Sequence, residues 1–190
     1  MAAIRSRSTK LLTVLVLTFG TGVLCMGGAD AALALTLTSS AFKAGAPIPS
    51  LYTCEGKDIS PPLAWEGAPA GTKSLALIID DPDAPDPKAP KRVWVHWVLY
   101  NVPPDTNGLA ENADSGGLPA GTVRGLTDSK KAKYGGACPP IGRHHYVHKL
   151  YALDTTIDLA EATKAKLEAA MKGHVLAQAE LIGTYQKGDR

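Results

Sequence analysis

The sequence predicts a mainly β, antiparallel domain that ends in two helices. Between residues 35 and 153, apolar runs of strand length alternate with stretches rich in proline, glycine, aspartate and asparagine. The runs are enriched in β-branched and aromatic residues and show no helical periodicity. Helical periodicity occurs only near the C-terminus, so the helices are predicted to follow the β core.

Five runs are predicted to form strands. They are LTLTSSAF, PPLAW, SLALIID, RVWVHWVLYNV and HHYVHKLYALD. Strand alternation in the fourth run gives two faces: Trp94, His96, Val98 and Tyr100 on one, and Val93, Val95, Trp97 and Leu99 on the other. The fifth run presents His144, Tyr146 and His148 on one face, with His145 and Val147 on the opposite face.

Between the fourth and fifth runs, the glycine-rich residues 104–134 are predicted to be an extended loop with one short strand. The first helix is predicted from a capping-box pattern at Asp158 and Glu161. Its apolar face would contain Leu159, Ala162, Leu167, Ala170 and Met171. After Gly173, the i, i+4, i+7 spacing of Val175, Ala179 and Ile182 predicts a second helix packed on the β core.

Residues 1–34 have the pattern of a secretory signal peptide. Three basic residues precede the apolar run LLTVLVLTFGTGVLCM, and the small-residue motifs ADA and ALA follow it. A retained membrane anchor is the alternative, although two glycines interrupt the run and it is short for a membrane span. The mature domain is therefore predicted to be residues 35–190, in the periplasm or secreted.

The charge of the mature chain argues against a nucleic-acid-binding surface. Removal of residues 1–34 takes three basic residues from 20 and one acidic residue from 18, which leaves 17 of each. No run of lysine and arginine remains that could make several phosphate contacts along a duplex.

Two cysteines, Cys54 and Cys138, remain in the mature chain. An even pair in an oxidising compartment could form a disulfide, and two buried thiols are the alternative. Their spacing in sequence leaves both interpretations open, because it does not give their separation in space.

Several residues with chemical potential cluster in a few short segments. The run Asp80–Pro85 places carboxylates directly after a predicted strand, where its prolines fix a turn. His144 and Tyr146 could present two polar groups at one spot. Zinc binding by the histidines is an alternative, but the spacing is not diagnostic of a zinc site. A G-x-S-x-G nucleophile motif is absent from the sequence, and Pro139 after Cys138 argues against an activated thiolate at a helix start.

Three ordered motifs resemble those of the phosphatidylethanolamine-binding proteins, in particular their bacterial Raf-kinase-inhibitor-like branch. They are D-P-D-A-P at 81–85, W-V-H-W at 94–97 and G-x-C-P-P-x-G-x-H-x-Y at 136–146. The resemblance extends to LYTCEGKDISPPLAW near the front and GHVLAQAELIGTY near the end, and so covers nearly the whole mature chain.

The resemblance implies an antiparallel Greek-key β-sandwich with a small anion pocket. The implied ligand-binding residues are Asp81, His96, Gly136, Cys138, Pro139, Pro140, His144 and Tyr146. Asp83 and Trp94 would support them, with Asp83 bracing the acidic turn. His145 stands where relatives usually carry arginine, which puts in doubt any ion pair made by that arginine.

The resulting prediction is an exported binding protein without cofactor, metal or catalysis. Its ligand would be phosphate or a phospholipid head group, and it could also modulate a protein partner. The stiff, glycine- and proline-rich loop allows close approach of an anion, and the imidazole and phenol groups can bond its oxygen atoms. The alternative is a hydrolase that uses His144 or His96 as acid and base, with or without a metal. A protein-interaction module that acts through loop 104–133 is a third interpretation.

Overall fold

The computed structural model describes residues 34–189. Apart from its last residue, the predicted signal peptide lies outside the described residues. Besides two short 3-10 helices, Ser50–Tyr52 and Ala113–Ser115, eight strands and one α-helix follow in chain order: β1 (Thr36–Thr38), β2 (Leu63–Glu66), β3 (Ser74–Asp81), β4 (Trp94–Val102), β5 (Gly108–Leu109), β6 (Val123–Arg124), β7 (His144–Leu153), α1 (Lys164–Met171) and β8 (Val175–Tyr185). The predicted mainly β class is confirmed. Within residues 34–189, the helical segments are too short to cross a lipid bilayer.

The strands form two antiparallel sheets. One has three strands in the order β1-β2-β5, and the other has five in the order β6-β4-β3-β7-β8. All eight residues of β3 are buried, because this strand lies at the centre of the larger sheet with apolar groups on both faces. A nearly continuous apolar run such as SLALII is typical of a strand that is buried on both faces.

Each face of the five-stranded sheet covers its own hydrophobic core. The larger core contains residues of both sheets, including Leu37, Trp65, Leu77 and Trp97. The smaller core lies on the other face and includes Leu167 of α1. The two faces of the central strands therefore pack against different hydrophobic cores. The candidate site described below lies on the side of the larger core.

A β-bulge in β4 interrupts the predicted alternation of its side chains. Ile79 pairs with Trp97, but the next residue of β3, Asp80, pairs with Val95, so His96 is an extra residue in the ladder. A bulge of this kind turns the side chains on either side of it relative to the regular pleat.

The prediction for the faces of β4 is therefore wrong at its N-terminal end. Val95 and Trp97 were expected on one face, but Val95 belongs to the smaller core and Trp97 to the larger one. His96 was expected beside Val98, yet its ring contacts that of Tyr146 in the larger core, with 5.2 Å between ring centroids. Period-two reasoning fails here because one extra residue shifts the phase.

The prediction of a second C-terminal helix is also wrong, because residues 175–185 form strand β8. This strand pairs with β7 along its whole length, from His144 opposite Tyr185 to Leu153 opposite Val175. The segment AQAEL, residues 177–181, also alternates apolar and polar residues with period two, and the exposed Gln178 and the buried Leu181 follow that alternation. Pairing with β7 outweighs the helical propensity of alanine, leucine, glutamate and glutamine.

The first predicted helix exists, but it begins later than the capping-box pattern suggested. Helix α1 starts at Lys164, and its N-cap is Thr163 rather than Asp158. The preceding segment is extended because the backbone oxygen of Ala162 accepts a hydrogen bond from the amide of Leu126, at 2.7 Å. Within residues 104–134, where one short strand was expected, the structure contains both β5 and β6.

Candidate functional site

A cavity of about 460 Å³ lies where β3 ends and where β4 and β7 begin. The structure brings all eight predicted ligand-binding residues into its lining: Asp81, His96, Gly136, Cys138, Pro139, Pro140, His144 and Tyr146. Trp94 also lines the cavity. Three chain segments that are distant in sequence therefore meet at one concave place.

His96 lines this cavity and has one ring nitrogen without a hydrogen-bond partner in the described part of the chain. Its Nδ1 donates to the backbone oxygen of Gly135 at 2.8 Å, which fixes the proton on Nδ1 when the ring is neutral. Its buried Nε2 has no hydrogen-bond partner within the described residues. Burial lowers the pKa of His96 below its ordinary value of 6.5, and the bond to Gly135 only partly opposes this. The neutral ring therefore offers an acceptor at Nε2.

Tyr146 offers the complementary group. Its side chain is buried, and its hydroxyl has no hydrogen-bond partner among residues 34–189. Burial, with the charge of Asp81 adding to it, raises the pKa of Tyr146 far above its ordinary value of 10. The hydroxyl thus keeps its proton and can donate. Together, His96 and Tyr146 place an acceptor and a donor beside the cavity.

His144 is fully buried and has both ring nitrogens engaged. Its Nδ1 lies 2.7 Å from Oδ2 of Asp81, and its Nε2 donates to the backbone oxygen of Ile141 at 3.0 Å. Oδ1 of Asp81 in turn accepts from the amide of Asp83 at 2.8 Å. Both ring nitrogens of His144 are therefore occupied by hydrogen bonds within the protein. This pair joins the end of β3 to the start of β7 and leaves no free lone pair on His144.

Asp83 lies outside the cavity lining and ties the acidic turn to β7. Its Oδ2 accepts from both the backbone amide and Nδ1 of His145, each at 2.7 Å. The histidine at this position therefore still contacts the acidic turn. His148, on the same face as Tyr146, is a core residue that packs against Phe42. Burial lowers the pKa of His148 to about 4, so it is neutral at pH 7.

The loop from Tyr134 to Pro140 is held from several directions. A disulfide joins Cys54 to Cys138, with 5.4 Å between their Cα atoms. The amide of Gly136 donates to Oδ1 of Asp58 at 2.6 Å, and the hydroxyl of Tyr134 donates to the backbone oxygen of Tyr52 at 2.8 Å. A Cβ at Gly136 would lie 2.5 Å from that same Tyr52 oxygen, so only glycine fits.

Asp114 anchors the same loop from the other side. Its carboxylate accepts from Nε1 of Trp97 at 3.1 Å, from Nε of Arg124 at 2.9 Å and from the amide of Tyr134 at 2.9 Å. The sequence analysis missed Asp114 and Asp58. Asp58 lies in a loop and Asp114 in a short 3-10 helix, both far in sequence from the residues that they hold, and an isolated aspartate carries no sequence signal of that role.

Three cationic residues that the sequence analysis did not single out also line the cavity: Arg92, Lys131 and Lys133. The guanidinium of Arg92 lies 4.3 Å above the ring of Trp94, a cation–π arrangement. Across the described part of the chain, no group of three or more potential metal ligands occurs.

Comparison with known proteins agrees with this architecture. The family model described as phosphatidylethanolamine-binding protein matches residues 38–186. A UPF0098 protein of Methanothermobacter thermautotrophicus is 53% identical over 156 residues, covering 81% of this chain and all of that protein. Another, from Pyrococcus horikoshii, is 41% identical over 183 residues, covering 93% of this chain and 87% of its own length.

Two solved structures are similar over the same region. A phosphatidylethanolamine-binding protein homologue from Chlamydia trachomatis has a TM-score of 0.73 and 43% identity, covering 81% of this chain and 98% of its own. Escherichia coli YbcL, described as a member of the mammalian family, has a TM-score of 0.73 and 34% identity, covering 81% of this chain and 99% of its own.

Fold and cavity together define a two-sheet β protein with a preformed pocket of ligand size. The matches to the family model and to relatives of high identity identify the family to which this β protein belongs. The chain belongs to the phosphatidylethanolamine-binding protein family.

Proposed function

We propose that the protein binds phosphate or a phosphorylated small molecule, such as a phospholipid head group, in this cavity and does not turn it over. The observation that carries the proposal is the pair of buried, unpaired polar atoms, Nε2 of His96 and the hydroxyl of Tyr146. A buried polar group without a partner is costly, and native proteins rarely leave one without a functional reason. A phosphate would satisfy both atoms at once.

The two atoms suit an anion that carries or acquires one proton. An unprotonated phosphate oxygen can accept from the Tyr146 hydroxyl. Nε2 of His96 can accept from a protonated phosphate oxygen, or can itself take up a proton and donate. The occupied nitrogens of His144 support binding over hydrolysis, because a general base needs an accessible lone pair.

Anion binding is expected to shift the His96 resonances and to take up a proton. An anion at Nε2 favours the charged ring, so the pKa of His96 is higher in the complex than in the free protein, where burial lowers it. Affinity should therefore rise as the pH falls through the pKa of the complex. The measurements are NMR titration with phosphate and O-phosphorylethanolamine, and calorimetry in buffers of different ionisation enthalpy.

Sulfate provides a sharper version of this test, because it does not titrate near neutral pH. Its binding at pH 7 should take up about one proton per site, supplied to His96. His174 is the internal control, since it contacts Asp154 at an exposed place outside the cavity lining. Unchanged His96 resonances at millimolar phosphate, or turnover of phosphate esters by the purified protein, would contradict the proposal.

We also propose that the protein is exported after removal of its N-terminal segment. The signal-like pattern of residues 1–34 supports this, as does a cysteine pair of a kind that persists in oxidising compartments. Mass spectrometry of the protein from a fractionated native host should find a chain that starts close to residue 35, outside the cytoplasm. A full-length chain in the cytoplasmic fraction would overturn this proposal.

A further inference from the structure

The lining of the cavity carries an excess of positive charge. Arg92, Lys131 and Lys133 line it, against the carboxylates of Asp58 and Asp81. None of the three cations lies within 4.0 Å of a carboxylate in residues 34–189, where the ion pairs involve other basic side chains. Their charges are therefore available to a ligand.

Both carboxylates of the lining are already engaged. Asp81 bonds His144 and the amide of Asp83, and Asp58 accepts from the amide of Gly136 at 2.6 Å. A ligand ammonium in the cavity would have to share these carboxylates while lying near three cations. Coulomb repulsion from the cations disfavours that arrangement.

Arg92 is held in a way that suits a carboxylate. The guanidinium lies over the Trp94 ring, 4.3 Å from its centroid, and its N–H groups can form a paired contact with a carboxylate. The cavity of about 460 Å³ falls in the range that holds whole small-molecule ligands, so a phosphate at His96 and Tyr146 leaves room for a further group.

We propose that the preferred ligand carries a second anionic group beyond its phosphate, and that Arg92, Lys131 and Lys133 determine this specificity. The inference rests on the proposed function, since it takes the phosphate to lie at His96. It names the ligand class as phosphate esters with a second acidic group, either free in solution or as the head group of an acidic phospholipid.

O-phosphoserine and O-phosphorylethanolamine form a matched pair of probes, because they differ only by one carboxylate. Calorimetry at low salt should show that O-phosphoserine binds about fivefold or more tightly, as expected for one or two partly exposed ion pairs. The difference should shrink as salt is added. Equal affinities would overturn the inference, while binding of both probes would leave the proposed phosphate site standing. Failure of both probes and of phosphate to bind would overturn the proposed function itself.

Charge-neutralising variants test the assigned residues. The double substitution Lys131→Gln/Lys133→Gln, and separately Arg92→Gln, should reduce the ratio of the affinity for O-phosphoserine to that for O-phosphorylethanolamine, because the ligand with two anionic groups loses more Coulomb attraction than the ligand with one. The matched control is Lys166→Gln/Lys172→Gln, which removes the same charge from exposed positions in and after α1, outside the cavity lining. An equal loss in the control would show that net charge alone sets the preference, and would overturn the assignment.

Vesicles distinguish the two sources of such a ligand. Co-sedimentation with vesicles of phosphatidylserine and phosphatidylcholine, compared with phosphatidylcholine alone, would support an acidic lipid head group if Lys131→Gln/Lys133→Gln abolished it. Preference for free O-phosphoserine without vesicle binding would support a soluble ligand. Vesicle binding that the variant leaves intact, without any preference for free O-phosphoserine, would contradict the inference.

Discussion

Replacing Cys54 and Cys138 by serine is expected to lower the free energy of unfolding by about 3 to 5 kcal/mol. The two residues are 84 positions apart, so the bond closes a long loop. Such a crosslink restricts the unfolded chain more than the folded one, and its removal therefore favours unfolding. Both positions are exposed, so serine is accommodated without burying a new polar group.

Urea unfolding of the oxidised wild type and of the double variant measures this difference. The wild type in reductant should unfold like the variant, and reductant should not change the variant further. The variant is expected to fold, because the bonds from Tyr134 to Tyr52 and from Gly136 to Asp58 still hold the loop. Identical unfolding midpoints for the oxidised wild type and the variant would contradict the prediction.

The substitution His96→Asn is expected to weaken phosphate binding by about ten- to a hundredfold, which corresponds to one lost hydrogen bond with a charged group. The asparagine amide can replace Nδ1 of His96 as donor to the Gly135 oxygen, and only the function of Nε2 is lost. Proton uptake on sulfate binding should also disappear. A structural role alone would not remove proton uptake while the protein stays folded.

Two further variants serve as a second test and as a control for His96→Asn. Tyr146→Phe removes only the unpaired hydroxyl and should weaken binding about tenfold, without loss of stability, because the hydroxyl has no partner in the described structure to lose. His174→Asn removes an exposed imidazole outside the cavity lining and should leave binding unchanged. An affinity in His96→Asn equal to that of the wild type would show that the anion lies elsewhere.

The placement of the site could be predicted because its residues belong to three recognisable motifs. Strand alternation alone placed His144 and Tyr146 on one face, and the structure agrees. The resemblance predicted that Asp81 of the acidic turn and His96 lie near His144 and Tyr146. In the structure these four residues line one cavity. The resemblance was needed for His96, because the bulge in β4 makes strand alternation fail at that residue.

The features that sequence reasoning missed depend on contacts between distant segments. Strand β8 was predicted as a helix because its composition favours helix, and only the partner β7 determines its conformation. The roles of Asp58 and Asp114 depend on backbone amides of the loop that begins at Tyr134. Arg92, Lys131 and Lys133, which line the cavity, come from two separate segments, and no local sequence motif indicates that these segments meet.

Because of the bulge in β4, the number of residues in this strand determines which side chains face the cavity. Because His96 is the extra residue, deletion of one position beside it would restore the regular pleat and exchange the faces of everything N-terminal to Trp97. Trp94 would then leave the cavity that it lines. Over evolutionary time, such a segment can tolerate side-chain replacement far better than insertions or deletions.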